Sequence, residues 1–409
     1  MDHIAVVGAS LAGLRAAETL RAEGFTGRLS IVGDEPHRPY DRPPLSKQVL
    51  TGEWDAERIA LPVGAPGRLD AGWLLGRAAV RLDAAARRVT LDDGTVLDAD
   101  GIVIATGASP RLLPGTDGVA GVHVLRTVDD ATALAGALDG ARSAVVVGAG
   151  FIGSEVAASC RARGVEVVLV EPLPQPLARV LGERVGSVVA DLHRRHGVDV
   201  RLGVGVEAVT TGATGRPRVT LADGSVLDAE VVVVGIGVIP NTAWLADSGL
   251  ALDDGVLCDE TTLAAPGIVA AGDVARWPNR RFDEVMRVEH WEHALDMAAH
   301  AARRLLAEAA GEPGEAYEPV PWFWSDQYDR KIQLAGRPHP DDELAVVAGD
   351  LDGDRFCALY GRDGRATAVL GINLAGRVVR YRRALADGLA WDQVLADAEA
   401  NAAAAPGGA

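Results

Sequence analysis

Twice in this chain a short apolar strand runs into a glycine turn, a helix and a second strand that closes on an acid. HIAVVG at 3–8 leads through LAGLRAAETLRAEG to Leu29–Val32 and then to Gly33, Asp34 and Glu35. SAVVVGAG at 143–150 leads through FIGSEVAASCRARG to VEVVLVE, which ends on Glu171. Strands joined by a crossover helix lie parallel, so each segment predicts a βαβ unit. Matching text follows each one: RRVTLDDGTVLDADGIVIATG at 87–107 and PRVTLADGSVLDAEVVVVGIG at 217–237, both reading as a meander of short strands. A repeat of whole units says more than a glycine motif alone. It predicts an α/β chain with two dinucleotide-binding domains.

The glycines have separate duties. In Gly8-Ala-Ser-Leu-Ala-Gly13 the first makes the tight turn and the last lets helix approach strand, while Ser10 replaces the glycine over which a pyrophosphate would lie. Amides at the helix N-terminus would hold that diphosphate, and Asp34 or Glu35 would accept hydrogen bonds from an adenosine ribose. Gly148, Gly150 and Gly153 form the full motif in the second unit. There Glu171 would accept a ribose 2′-hydroxyl and repel a 2′-phosphate, favouring NADH over NADPH, with Arg179 softening the preference. Ala105, Thr106 and Gly107 end one buried strand and Gly272-Asp273 ends another; an acid at such a strand end can bond the ribityl or diphosphate part of a flavin.

Composition limits the alternatives. A chain of 409 residues needs two or three domains, and no apolar run reaches the length of a membrane span. A net charge of −17 disfavours nucleic acid and anionic membranes as partners. Cys160, Cys258 and Cys357 are scattered, which argues against a disulfide framework, a redox dithiol and cysteine-bound metal. They are expected to be small buried residues in a cytoplasmic protein. Two such units could bind two nicotinamides, two flavins or one of each; the expected boundaries are a first dinucleotide-binding domain from 1–108 and 238–310, a second at 109–237, an α+β domain at 320–396 and a disordered tail at 397–409.

Three further segments are far less degenerate than glycine turns: PYDRPPLSK at 39–47, VEHWEHA at 288–294 and PWFWSDQY at 321–328. With them the chain resembles the FAD-dependent ferredoxin reductases of bacterial oxygenase systems from Gly8 to about Leu385, and apoptosis-inducing factor more distantly. The resemblance implies two Rossmann-like, glutathione-reductase-like domains plus a small C-terminal α+β domain, with FAD and NADH as cofactors. By similarity Ala12 and Asp34 hold the adenosine end of FAD, Arg42 and Lys47 line its phosphates and ring, and Val80 meets the adenine. Arg126 and Asp273 hold further flavin groups, and Trp291 and Trp324 lie near the ring. Gly150, Ile152, Glu171, Gly237 and Glu289 match nicotinamide-side positions. Lys47 is expected to pair with Glu155, placed on the first turn of the second nucleotide helix, beside flavin N5.

The implied activity passes hydride from NADH to FAD and then single electrons to an iron–sulfur ferredoxin serving a monooxygenase or dioxygenase. Arg377, Arg380, Arg382 and Arg383, with a second group at Arg276, Arg280, Arg281 and Arg287, offer basic surface to an acidic ferredoxin. An NADH oxidase or disulfide reductase would need a redox cysteine where this chain has PPLSK. A signalling flavoprotein of the apoptosis-inducing-factor type is the other alternative.

Overall fold

The computed structural model describes residues 1–63, 69–116 and 118–404. Strand β1 (His3–Val7), helix α1 (Leu11–Ala22) and β2 (Arg28–Gly33) open the chain, and β3 (Ser143–Val147), α2 (Phe151–Ala162) and β4 (Glu166–Glu171) repeat the arrangement. Helices α3 (Ala178–Arg195) and α4 (Trp291–Ala309), strand β5 (Trp322–Gln327) and helices α5 (Ala375–Ala386) and α6 (Trp391–Ala404) follow. The chain divides into two compact units. One holds Met1–Asp41, Ile59–Ser109 and Val238–Pro321; the other holds Arg42–Arg58, Pro110–Gly237 and the chain from Trp322 onward.

In the first unit β1 lies between β2 and Gly101–Ile104, both parallel to it, and the sheet extends to Gly72–Leu75 on one side and Ile268–Ala270 on the other. All five β1 residues are buried, as expected of a strand covered on both faces. Helix α1 packs against α4, and Ala16, Ala17, Ala298, Ala301 and Ala302 are all buried in the same core. The meander is Ala79–Asp83, Arg88–Leu91 and Val96–Asp98, antiparallel throughout.

The second unit repeats this plan. Strand β3 sits between β4 and Val231–Val234, all parallel, and the matching meander is Val206–Thr211, Pro217–Leu221 and Val226–Asp228. Its C-terminal part is a five-stranded antiparallel sheet with β5 at one edge, backed by α5. This sheet shares a core with α3: Leu181, Val185 and Val189 pack with Ile332, Leu334, Phe356 and Tyr360.

Two boundaries differ from the sequence expectation. Arg42–Arg58 groups with the second unit because Leu50 enters the core of Val156, Ala157 and Cys160, while Arg163 Nη1 donates to its carbonyl at 2.7 Å. The chain from 397 was expected to be a disordered tail, yet α6 runs on to Ala404. Trp391, Val394 and Ala398 are buried at helical spacing, and the alanine-rich run is a strong helix former. Residues 405–409 of that expected tail lie outside the described residues.

Candidate functional site

In the first unit the glycine turn is built by close backbone contact. Gly8 has φ +124°, donates its N–H to the Val32 carbonyl, and leaves no room for a side chain: an added Cβ would lie 2.0 Å from the Ala105 carbonyl oxygen. A Cβ on Gly13 would lie 1.7 Å from the Gly8 carbonyl. Ala12 faces the Gly272-Asp273 turn, where a Cβ on Gly272 would come within 3.2 Å of its own Cβ. The glycine turn, the Ala105–Gly107 strand end and the Gly272-Asp273 turn therefore meet in one place. Thr106 is tied there as well, through hydrogen bonds in both directions with Asn241 at 2.8 and 3.0 Å.

No acid occupies the first turn of α1, so nothing there competes with an anionic diphosphate. Glu35 accepts the Tyr40 hydroxyl, while Asp34 is exposed at the end of β2. Trp291 starts α4 and donates its indole N–H to Asp41 at 2.9 Å, which fixes the ring. Val80 stands half in solvent, an apolar residue with a free face. Glu289 pairs with Arg287 at 2.6 Å.

In the second unit the same contacts recur. Gly148 has φ +97°, and an added Cβ would lie 2.4 Å from the Gly235 carbonyl; for Gly153 the distance to the Gly148 carbonyl is 1.9 Å. Gly150 differs, since nothing lies within 4 Å of its added Cβ. That open space over the N-terminus of α2, with no side-chain cap and no acid in the first turn, fits a dinucleotide diphosphate. Glu171 is buried and uses both oxygens on backbone: Ala149 N–H donates to Oε2 at 2.8 Å and Leu173 N–H to Oε1 at 3.0 Å. Ile152 and Arg179 are exposed, and Gly237 has φ +99°.

Lys47 and Glu155 form the expected ion pair, Nζ to Oε2 at 2.6 Å. Glu155 stands fifth in α2, in its second turn rather than its first. Its other partners were not foreseen: Ser46 donates to Oε2 at 2.5 Å and Ser325 to Oε1 at 2.6 Å. Arg42 donates to the Arg126 carbonyl at 2.6 Å, which ties the RPPLSK segment to the loop before Val128–Leu138. Trp324 packs beside Trp322 at 5.4 Å, and the Arg382 guanidinium lies over Trp322.

The three cysteines are free and buried, and desolvation pushes the thiol of each up to about 12. Such thiols are inert at neutral pH. Among the described residues no group of three or more His, Cys, Asp or Glu could hold a metal ion, and no helix is long and apolar enough to cross a membrane. The second basic group is matched by carboxylates: Arg276 pairs with Asp253, Arg280 with Glu260, and Arg287 with Asp254 and Glu289.

Two family models match the chain. Residues 2–298 match the pyridine nucleotide-disulphide oxidoreductase family and residues 322–404 match the reductase C-terminal family. The chain belongs to the pyridine nucleotide-disulphide oxidoreductase family. Rhodocoxin reductase of Rhodococcus erythropolis is 40% identical over 86% of this chain and 82% of its own. Putidaredoxin reductase of Pseudomonas putida is 35% identical over 91% and 89%. The reductase chain in the covalent putidaredoxin reductase–putidaredoxin complex superposes with a TM-score of 0.89 at 32% identity, covering 98% of this chain and 99% of that one. Despite the family's name, none of the three cysteines is in a disulfide, and all three are buried.

Proposed function

We propose that this protein is a cytoplasmic NADH-dependent ferredoxin reductase, binding FAD and NADH and serving an oxygenase through an iron–sulfur ferredoxin. The observation that carries this is the likeness of the chain to ferredoxin–NAD(+) reductase components of dioxygenase systems, which for the anthranilate 1,2-dioxygenase system covers 97% of both chains, together with the match of its C-terminal module to the reductase C-terminal family. The inert thiols support it against a disulfide reductase or a cysteine-dependent oxidase.

The chemistry FAD supplies when bound is acceptance of a hydride from NADH and release of electrons one at a time. The residues orient, neutralise and exclude water. Gly8, Ala12, Gly13 and the α1 amides would hold the FAD diphosphate, Asp34 and Glu35 its ribose, and Val80 its adenine. In the first unit Ala105, Thr106, Gly107, Gly272, Asp273 and Trp291 are the further positions proposed for FAD; in the second, Arg42, Arg126 and Trp324 are the positions that the family resemblance proposes for it. Lys47 would place a cation beside the ring, and Glu155 would balance that charge when the ring is neutral.

On the nicotinamide side Gly148, Gly150 and Gly153 would admit the NADH diphosphate, and Glu171 its ribose. Ile152, Arg179, Gly237 and Glu289 would border the rest. Arg380 and Arg383 are exposed on α5, with Arg377 and Arg382 partly covered, and together they would receive an acidic ferredoxin. Anaerobic addition of NADH should bleach the yellow protein, and oxidised ferredoxin should restore its colour. A colourless protein, or one bleached only by dithionite, would overturn the reading.

A further inference from the structure

Strand β5 carries two different faces, because successive side chains alternate. Trp322 and Trp324 share one face; Phe323, Ser325 and Gln327 share the other. The second face lies along α2. Phe323 meets Phe151 edge to face at 4.5 Å, and Ser325 donates to Glu155 at 2.6 Å. Two strand residues advance about 6.6 Å and four helix residues about 6 Å, so the pairs 323/325 and 151/155 keep step along the seam.

The direction of the Ser325 bond is fixed. A hydroxyl has one proton, and Gln327 Nε2 donates to Ser325 Oγ at 3.3 Å, so that proton is left for Glu155 Oε1. Lys47 and Ser46 both donate to the other oxygen, Oε2. Without Ser325 the Oε1 atom of a carboxylate that is 3% exposed loses the donor on that side. Behind Gln327, burial pushes the His193 imidazole down to about 4, so that ring brings no competing charge at neutral pH.

We infer that Ser325, supplied by the C-terminal module, is a positioning residue that fixes the Glu155 carboxylate against Lys47 and thereby tunes how readily the flavin is reduced. This gives the C-terminal module a part in the hydride half of the reaction, in addition to any role towards the acceptor. The inference rests on the proposed placement of the flavin ring beside Lys47 and Glu155.

The test is the flavin midpoint potential of the holoprotein, measured by dye equilibration for Ser325→Ala, Glu155→Gln, the double variant and Phe323→Leu. A less neutralised carboxylate disfavours the negatively charged reduced ring. Ser325→Ala should therefore lower the two-electron equilibrium constant by about tenfold, a shift of about 30 mV. In the Glu155→Gln background the same substitution should change nothing further. Phe323→Leu, which disturbs the same seam but keeps the hydroxyl, should lower the melting temperature and leave the potential alone. An equal shift from Ser325→Ala in both backgrounds, no shift from it while Glu155→Gln is effective, or an equal shift from Phe323→Leu would each overturn the inference alone. A wild-type potential for Glu155→Gln would remove the underlying placement of the flavin, and the inference with it.

Discussion

Lys47 and Glu155 lie 108 residues apart in sequence, and their charged groups meet at 2.6 Å with side chains only 12% and 3% exposed. Removing one member leaves the other charge without its counterion. Lys47→Met or Glu155→Gln should each cost about 3 kcal/mol in urea unfolding of the apoprotein. The double variant should recover part of that loss, because no lone charge remains. Additive losses would show that the two groups are not coupled.

The glycines divide into two kinds. Gly13→Ala drives a methyl into the Gly8 carbonyl, so it should yield protein that retains no FAD and melts several degrees lower. Gly150→Ala meets nothing within 4 Å. It should fold with a normal melting curve and lose affinity only for NADH, read as a raised KM with kcat nearly unchanged.

Glu171 should set the choice of nucleotide. Glu171→Gln removes the charge that would repel a 2′-phosphate while keeping an acceptor for the Ala149 N–H. It should raise the NADPH to NADH ratio of kcat/KM by about tenfold. Glu171→Ala should instead impair both nucleotides, since the glycine turn loses its anchor.

Acid should destabilise both units through two buried imidazoles. Desolvation pushes His193, in the second unit, and His293, stacked on Trp277 in the first, down to about 4 from 6.5. The folded protein binds fewer protons than the unfolded chain in this range. Stability from these rings is therefore complete above pH 6.5 and lost as pH falls from there towards 4, on the order of 2 kcal/mol for each ring by pH 5. His193→Gln should flatten the fall in melting temperature between pH 6.5 and 5.

Arg380→Glu with Arg383→Glu should slow reduction of ferredoxin by NADH at least tenfold at low salt and spare ferricyanide, a small acceptor that needs no docking surface. Equal loss with both acceptors would dismiss α5 as the docking face.

Much of this was legible in the residues because backbone geometry leaves few alternatives. Only glycine tolerates the Gly8 and Gly148 turns, and the duplicated meander text folds into duplicated meanders. Side-chain partnerships across long separations were harder. PPLSK and FWSDQ were both singled out, yet nothing in either says that Ser46 and Ser325 converge on Glu155. Alternation along β5 was the available signal, and it shows only which residues share a face. The arginines near Asp273 show the same limit: their carboxylate partners Asp253, Asp254 and Glu260 flank the short strand Val256–Leu257, and nothing in the sequence pairs them.

The chain passes between its two units at five points, after residues 41, 58, 109, 237 and 321. This sets an order of completion during synthesis. Every strand of the second parallel sheet lies within 122–234, whereas the sheet begun by His3–Val7 still lacks Ile268–Ala270. A nascent chain can finish the later-starting sheet first, and the earliest strand waits with one edge of its sheet unfilled until the ribosome has passed residue 270. Shielding that edge is a task for the growing chain or a chaperone, and it falls on the unit proposed to bind the flavin.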